Sequence, residues 1–428
     1  MHCFAACAYV FCLLYSDIMP FPTPEPLPKS DRILELADQL QPQMVEWRRY
    51  LHRHPEISYQ EFETTKWLGA RLSEMGYEVH RPIETGCVAV LKGHHPDSRV
   101  LALRADIDAL AMEEEGEAKS AFFSENPGAA HCCGHDGHTA NMLGAARILM
   151  DLKEEVQGTI VLIFQPGEEK LPGGGRLLCE SGFLQNMGVQ AIYGLHSSPL
   201  YAPGEIAVIK GRMMARPDEF EVSLIGQGGH AAVPQSAIDP VVMASQFVSS
   251  LQTIRSRNTN PLEPVVVTVG KISGGSAHNV IPERVNMLGT IRTFSRDTSH
   301  FINRRIQEIA AGVAQAAGGG YEYTYNEGYP AVINADWATD VIADVASGLH
   351  GSECVKWMPE PVMGGEDFAF YLEHFPGAFY LLGTGSEAAD SQYSWHHPRY
   401  NIDEAAFRYG ASVMAGIALH PAACGKLV

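Results

Sequence analysis

Short apolar runs alternating with helical stretches fill the first half of this chain, and strands buried on both faces fold only where helices cover them. Cys87 to Leu91, Val100 to Arg104, Thr159 to Gln165 and Ala191 to Leu195 read as such strands. Ser30 to Leu51, Glu61 to Met75 and Thr139 to Leu152 read as helices, the first capped by Ser30 or Asp31 and the second stopping at Gly76. This order predicts an α/β fold, a mixed sheet flanked by helices. From about Gly211 the texture changes: Glu219 to Leu224, Pro264 to Ile272, Arg284 to Phe294 and Tyr321 to Tyr325 read as strands, and Asp239 to Ile254 and Thr298 to Ala317 as helices. The resulting β-α-β-β-α-β order is the ferredoxin-like pattern. We therefore expect a discontinuous domain, 30–210 and 328–428, interrupted by a smaller α+β module at 211–327. With 428 residues, 46% of them hydrophobic, each part can bury a core of its own.

Charge narrows the function. Asp plus Glu total 50 against 31 Lys plus Arg, and a formal charge of -19 repels nucleic acid and anionic membrane surfaces. No apolar run approaches the roughly 20 residues needed to span a bilayer. The nine cysteines lack framework spacing, which fits reduced thiols in the cytoplasm better than a disulfide scaffold. The first fifteen residues are apolar, yet they carry no Lys or Arg and no clear Ala-x-Ala site follows. Residues 1–29 are expected to be a disordered or mis-started extension, with Met19 as an alternative start and a secretory signal in 1–18 as the competing reading.

Chemistry concentrates in Cys132-Cys133-Gly134-His135-Asp136-Gly137-His138, two thiols, two imidazoles and a carboxylate within seven residues. Other expected strands lead into metal-competent groups: Val100 to Arg104 into Asp106 and Asp108, Thr159 to Gln165 into Glu168 and Glu169, and Ala191 to Leu195 into His196. Open α/β sheets build their sites at the carboxyl ends of strands, so these loops should converge. In an extended segment the adjacent Glu168 and Glu169 point to opposite sides, so one should ligate and the other face the water that a bound cation acidifies, from a pKa near 16 to about 7. By the same geometry Cys133 and His135, two apart, should point together. Asp136 either serves the site or caps a helix starting near His138.

These motifs, with Gln165-Pro166-Gly167-Glu168-Glu169, Gly194-Leu195-His196, Gly228-Gly229-His230-Ala231-Ala232-Val233-Pro234 and Asn279-Val280-Ile281-Pro282, resemble the amidohydrolase branch of the two-metal aminoacylase and carboxypeptidase family. That branch includes hippurate hydrolases and plant hydrolases of indole-acetyl amino acids. The resemblance runs from about Leu36 to Ala415 and includes Leu51-His52-Arg53-His54-Pro55-Glu56 and Gly364-Gly365-Glu366-Asp367-Phe368. It implies that Cys133, His135, Glu169, His196 and His396 bind two divalent ions, Mn2+ or Zn2+, with Glu168 as general base. His396 is chosen over His397 because the family's ligand stands two places before the proline, here Pro398. The resemblance also implies that 211–327 is a lid and dimerisation module, that His230 stabilises the oxyanion, and that Asn279 and Arg292 hold the substrate carboxylate.

The expected reaction is hydrolysis of an N-acyl amino acid, a small-molecule substrate, by a homodimer joined through the lid. Dipeptide cleavage with the same machinery, a metal-binding scaffold without turnover and a thiol redox protein are the alternatives, the last weakened because Cys132-Cys133 is not a C-x-x-C arrangement. Cys132 replaces a small residue and is expected to pack inertly. Ala111 replaces the usual proline after the Asp-x-Asp-Ala-Leu stretch. Asp106 and Asp108 are expected to orient ligands rather than bind metal.

Overall fold

The computed structural model describes residues 29–425. The expected N-terminal extension up to residue 28, with Cys3, Cys7 and Cys12, lies outside the described residues. In chain order the helices are α1 (Ser30–Arg53), α2 (Phe62–Met75), α3 (His135–Asp151), α4 (Gly174–Glu180), α5 (Phe183–Asn186), α6 (Pro240–Thr253), α7 (Arg296–Ala317), α8 (Asp336–His350), α9 (Ala369–Leu372) and α10 (Phe407–Leu419). The strands are β1 (Glu78–His80), β2 (Cys87–Lys92), β3 (Val100–Asp106), β4 (Thr159–Gln165), β5 (Ala191–Ser198), β6 (Ile206–Val208), β7 (Gly211–Met214) and β8 (Arg216–Ile225). They continue with β9 (Gly229–His230), β10 (Val266–Gly274), β11 (Val280–Ile281), β12 (Arg284–Thr293), β13 (Gly320–Asn326), β14 (Val332–Asn334), β15 (Val355–Trp357) and β16 (Gly377–Gly383).

Eight strands form one mixed sheet in the order β1-β2-β4-β3-β5-β16-β6-β15. The central pairs β4·β3, β3·β5 and β5·β16 are parallel, whereas β2·β4 and β16·β6 are antiparallel. Both faces are apolar because successive side chains alternate between two cores. Leu101, Leu103, Ile160, Leu162 and Phe164 face the core covered by α1, α2, α3, α8 and α10. Ala102, Val161 and Ile163 face the opposite core, with α4, α5 and α9. The expected α/β sheet is present.

The second sheet has the order β10-β12-β8-β13, antiparallel throughout. Read in chain order its strands and helices run β8-α6-β10-β12-α7-β13, the ferredoxin-like arrangement expected, with α6 and α7 packed on one face around Phe220, Phe247, Ile291 and Ile306. Asp239 caps α6 by accepting from the amides of Val241 and Val242 at 2.8 and 3.4 Å. The short pairs β9·β11 and β7·β14 lie outside both sheets. Among the described residues no helix is long and apolar enough to cross a membrane.

Two local expectations need correcting. Neither Ser30 nor Asp31 caps α1, which starts from a left-handed Lys29 (φ 62°) with no side-chain bond to its first turn. Helix α3 begins at His135 rather than Thr139, because the left-handed Gly134 (φ 95°) turns the chain into the helix four residues early.

Close packing of α3 depends on Gly144, where an added Cβ would sit 2.3 Å from Met44 Sδ on α1 and 2.9 Å from Ala411 Cβ on α10. A Gly144→Val protein should be destabilised by about 1–3 kcal/mol through overpacking. Urea unfolding reads this directly, and an unchanged midpoint would show that the three helices are looser than described.

Candidate metal centre

The parallel register of β3, β4 and β5 brings their carboxyl ends to one edge, with Asp106 opposite Gln165 and Arg104 opposite Gly194. From that edge the next residues reach inward. Cys133 Sγ lies 3.4 Å from His196 Nε2, and the ligand-capable atoms of Cys133, His135 and His196 lie within 4.8 Å of one another. Cys133, Glu169 and His396 form a second such group and His135, Glu168 and Glu169 a third. The five residues expected to ligate and the expected base are therefore gathered in one place.

Their orientation is set from behind. His135 Nδ1 donates to Asp108 Oδ1 at 3.2 Å, and His196 Nδ1 donates to the Ser197 carbonyl at 2.8 Å, so each ring turns its Nε2 toward the cluster. Asp108 also accepts from Ser58 Oγ (2.7 Å) and the Glu169 amide (3.1 Å). Asp106 spends one oxygen on Arg104 (2.7 Å) and the other on His138 Nδ1 (2.6 Å). His138 Nε2 in turn accepts from the Ser197 amide at 2.8 Å. Both aspartates hold other groups, as expected of them.

Backbone conformation does what an extended chain would not. Gly167 is left-handed (φ 63°) and Glu168-Glu169 sit in a turn, so both carboxylates reach the His135 side; the expected opposite orientation is not found. Cys133 and His135 converge through the left-handed Gly134, where a Cβ would lie 2.4 Å from Ser197 Oγ and 2.8 Å from Tyr400 OH. Only glycine fits there. His396 is itself left-handed (φ 63°), its amide held by the Cys132 carbonyl at 2.8 Å, and its Nε2 lies 3.2 Å from Glu169 Oε1. His397 turns away and stacks on Tyr393 at 4.7 Å. Cys132 is fully buried, and burial pushes its thiol up to about 11.

The electrostatics favour a cation at the cluster. Burial alone would lower His135, yet Asp106, Asp108 and Glu169 hold it up to about 10. Burial, then Glu366 and Glu169, push Glu168 well above the usual carboxylate range. His135 Nε2 and Glu169 Oε1 are buried without a hydrogen-bond partner and lie 3.9 Å apart. Buried polar atoms are rarely left so, and thiol, imidazole and carboxylate donors around them suit a divalent transition metal.

The three expected lid residues lie elsewhere. His230 is exposed on β9, its Nδ1 accepting from the Ala232 amide at 3.0 Å. Asn279 is exposed, and its carbonyl accepts from the Ala231 amide at 3.1 Å. Arg292 is half-buried on β12, donating to Thr290 Oγ1 and to the Ile291 carbonyl at 3.2 Å. Among the described residues none of the three is bonded to the cluster.

Sequence reasoning missed the supports. Arg104, fully buried, donates to Asp106, to Asp367 (2.8 Å) and to Gln165 (2.8 Å), and lies 3.0 Å from Glu366. Burial pushes Glu366 up to about 8 and Asp367 up to about 6, with Arg104 pulling each down. An arginine inside an otherwise apolar strand was the available signal. Asp136 neither caps α3 nor joins the cluster: it lies within the helix, and its Oδ2 takes Arg48 Nε and His52 Nδ1 at 2.8 Å each. The helix-capping alternative failed because α3 starts one residue before it.

Comparison with known proteins fits this geometry. The sequence model of peptidase family M20/M25/M40 matches residues 102–420. The chain belongs to that family. It is 40% identical to the N-acetyl-L-cysteine deacetylase of Bacillus subtilis over 86% of this chain and 85% of that protein. It is also 40% identical to the IAA-amino acid hydrolase ILR1-like 4 of Arabidopsis thaliana, over 88% and 84%. The crystal structure of the Bacillus subtilis YXEP protein, described as a dinuclear metal binding peptidase of the M20 family, superposes with a TM-score of 0.76 at 34% identity, covering 89% of this chain and 98% of that one. The amidohydrolase branch inferred from the motifs is thus the branch these M20 relatives carry.

Arg104 is the support whose loss should matter most. Replacing it by Met leaves Asp106, Glu366 and Asp367 buried beside one another without their cation, and removing one partner of a buried pair typically costs about 3–5 kcal/mol. Arg104→Met should therefore lower the denaturation midpoint sharply, and a wild-type unfolding curve would remove Arg104 from its central place.

Proposed function

We propose that this M20 protein hydrolyses the amide bond of N-acyl amino acids, releasing a carboxylic acid and a free amino acid, with two divalent ions held by Cys133, His135, Glu169, His196 and His396. The observation that carries the reading is that His135 Nε2 and Glu169 Oε1 are buried without a hydrogen bond at the meeting point of those five side chains. When bound, such ions supply Lewis-acid chemistry, polarising a carbonyl and acidifying water. Thiol and imidazole donors favour zinc, and manganese is the other metal the family resemblance admits.

Glu168 is the general base. Its carboxyl lies beside His135 and Glu169, and burial among other carboxylates raises its proton affinity toward the range where a base both takes and returns a proton. It removes the proton of the attacking water and delivers it to the leaving nitrogen. His230 donates to the oxyanion, and Asn279 with Arg292 binds the substrate carboxylate. All three stand on the ferredoxin-like module, so the module at 211–327 acts as a lid over the domain formed by 30–210 and 328–428, and the exposed His230 reaches a reacting centre by lid closure or across a homodimer. The six free cysteines described, five of them buried, support a reducing, cytoplasmic location.

Glu168→Gln should retain bound metal by elemental analysis and lose roughly 10²–10⁴-fold in kcat on whichever of hippurate, indole-acetyl, long-chain acyl or dipeptide substrates the native protein cleaves best. Full turnover with metal bound would refute the assignment of the base. His230→Ala should keep its metal and lose about 10²–10³-fold in kcat, the usual worth of one oxyanion donor; a defect confined to KM would move His230 from the transition state to ground-state binding.

A further inference from the structure

Away from the metal centre, α1 and α2 leave a groove open between them. One stripe of α1 supplies Gln43, Glu46, Trp47, Tyr50 and Arg53, and α2 answers with Trp67, Arg71, Glu74 and Met75 around a space of about 650 Å³. The helices are bridged by Tyr50 and Trp67, stacked with ring centres 4.8 Å apart and 9° between planes. The Arg71 guanidinium lies 3.7 Å from the Trp67 ring centre, and burial lowers its pKa.

The groove carries charges of both signs. On the same helix Arg48 and Arg49 are both in ion pairs, with Asp136 and Glu404, and Arg147 at the groove's edge pairs with Asp151 at 3.0 Å. Arg53, Arg71, Glu46 and Glu74 form no ion pair within 4.0 Å among the described residues, although all four line one cavity; Glu46 and Glu74 are exposed, the charge of Glu74 acts on Arg71, and Arg71 Nη1 donates to the Trp67 carbonyl at 3.4 Å. The Trp67 indole is buried, and its Nε1 has no hydrogen-bond partner. A partly desolvated guanidinium beside aromatic rings is a good anchor for a carboxylate, and an accessible carboxylate nearby is one for an ammonium. Trp47, Tyr50 and Met75 add apolar surface of the kind that small-molecule sites use for bulk contact.

We propose that the α1–α2 groove is an accessory binding site for a free α-amino acid with an aromatic or large apolar side chain, its carboxylate on Arg71 and Arg53, its ammonium on Glu46 or Glu74. A simple anion would engage only the arginines and a simple amine only the glutamates, whereas an amino acid engages both. The groove is distinct from the metal centre and shares none of its residues.

Calorimetric titration of the metal-loaded enzyme with L-phenylalanine, 3-phenylpropionate and 2-phenylethylamine tests this. Wild type should bind L-phenylalanine in the groove at least tenfold more tightly than either singly charged analogue. Arg71→Ala should abolish that binding event while kcat/KM for amide hydrolysis stays within twofold. An isotherm unchanged by Arg71→Ala, no event beyond the metal centre in wild type, or equal binding of 3-phenylpropionate would each overturn the proposal. Arg53→Ala provides the same comparison should Arg71→Ala fold poorly. The readout is binding rather than turnover, so it remains decisive whichever amide the enzyme cleaves.

Discussion

Negative charge buried at the carboxyl edge of the large sheet is the constraint around which this molecule is organised. Asp106, Asp108, Glu168, Glu366 and Asp367 are all buried there, with Glu169 beside them. Ionised carboxylates out of water are tolerated only when paired or coordinated. Arg104 answers Asp106, Glu366 and Asp367, and Ser58 with the Glu169 amide answers part of Asp108. What is left over, chiefly Glu169 and the unspent charge of the two aspartates, falls on the cluster, where Glu168 holds its proton instead. There it raises the proton affinity of His135 and leaves Glu169 Oε1 without a hydrogen bond, with His396 Nε2 3.2 Å away. The same imbalance that would destabilise an empty hydrophobic interior makes this spot selective for cations, and it explains how a chain of charge -19 gathers imidazoles and a thiol among its acids.

Holding such a site requires backbone that regular elements do not provide. Three turns supply it, at Gly134, Gly167 and His396, all left-handed. Residues in sparsely populated conformations persist only where their surroundings over-determine them. For His396 that surrounding is the Cys132 carbonyl bonded to its amide and Trp395 donating to the Ser197 carbonyl at 2.8 Å, the same carbonyl that fixes His196. The expected ligand His196 and Trp395, the neighbour of the expected ligand His396, thus share one backbone oxygen at the end of β5.

How much of this was legible in the sequence follows from the range of each interaction. Strands β2 to β5, helix α2 and the ferredoxin-like order are local patterns of period 2 or 3.6, and the residues that write them also execute them. The convergence of Asp108, Glu169 and His196 was legible because a parallel sheet sends its carboxyl ends to one edge. The inward turn of Glu168 was not, since alternation holds only for extended chain and Gly167 ends the extension. The partnership of Arg104 with Glu366 and Asp367 spans more than 260 residues of chain and leaves no local trace. His230, Asn279 and Arg292 were reached through family likeness alone, and their exposed or half-buried places within 211–327 show why periodicity could not have singled them out.

Helix α1 connects these observations. Its inward face places Arg48 and His52 on Asp136, one residue beyond His135, so the start of α3 is pinned by a buried charge pair as well as by the turn at Gly134. A carboxylate in the first turn of a helix is favoured by the helix dipole, and here it also gives α1 a polar grip on an otherwise apolar contact. That grip fixes rotation about the α3 axis, which apolar packing alone specifies weakly, and rotation of α3 by even a fraction of a turn would carry His135 Nε2 away from Glu169. The buried pair therefore serves placement more than stability, consistent with the modest net worth of ion pairs that must first be desolvated.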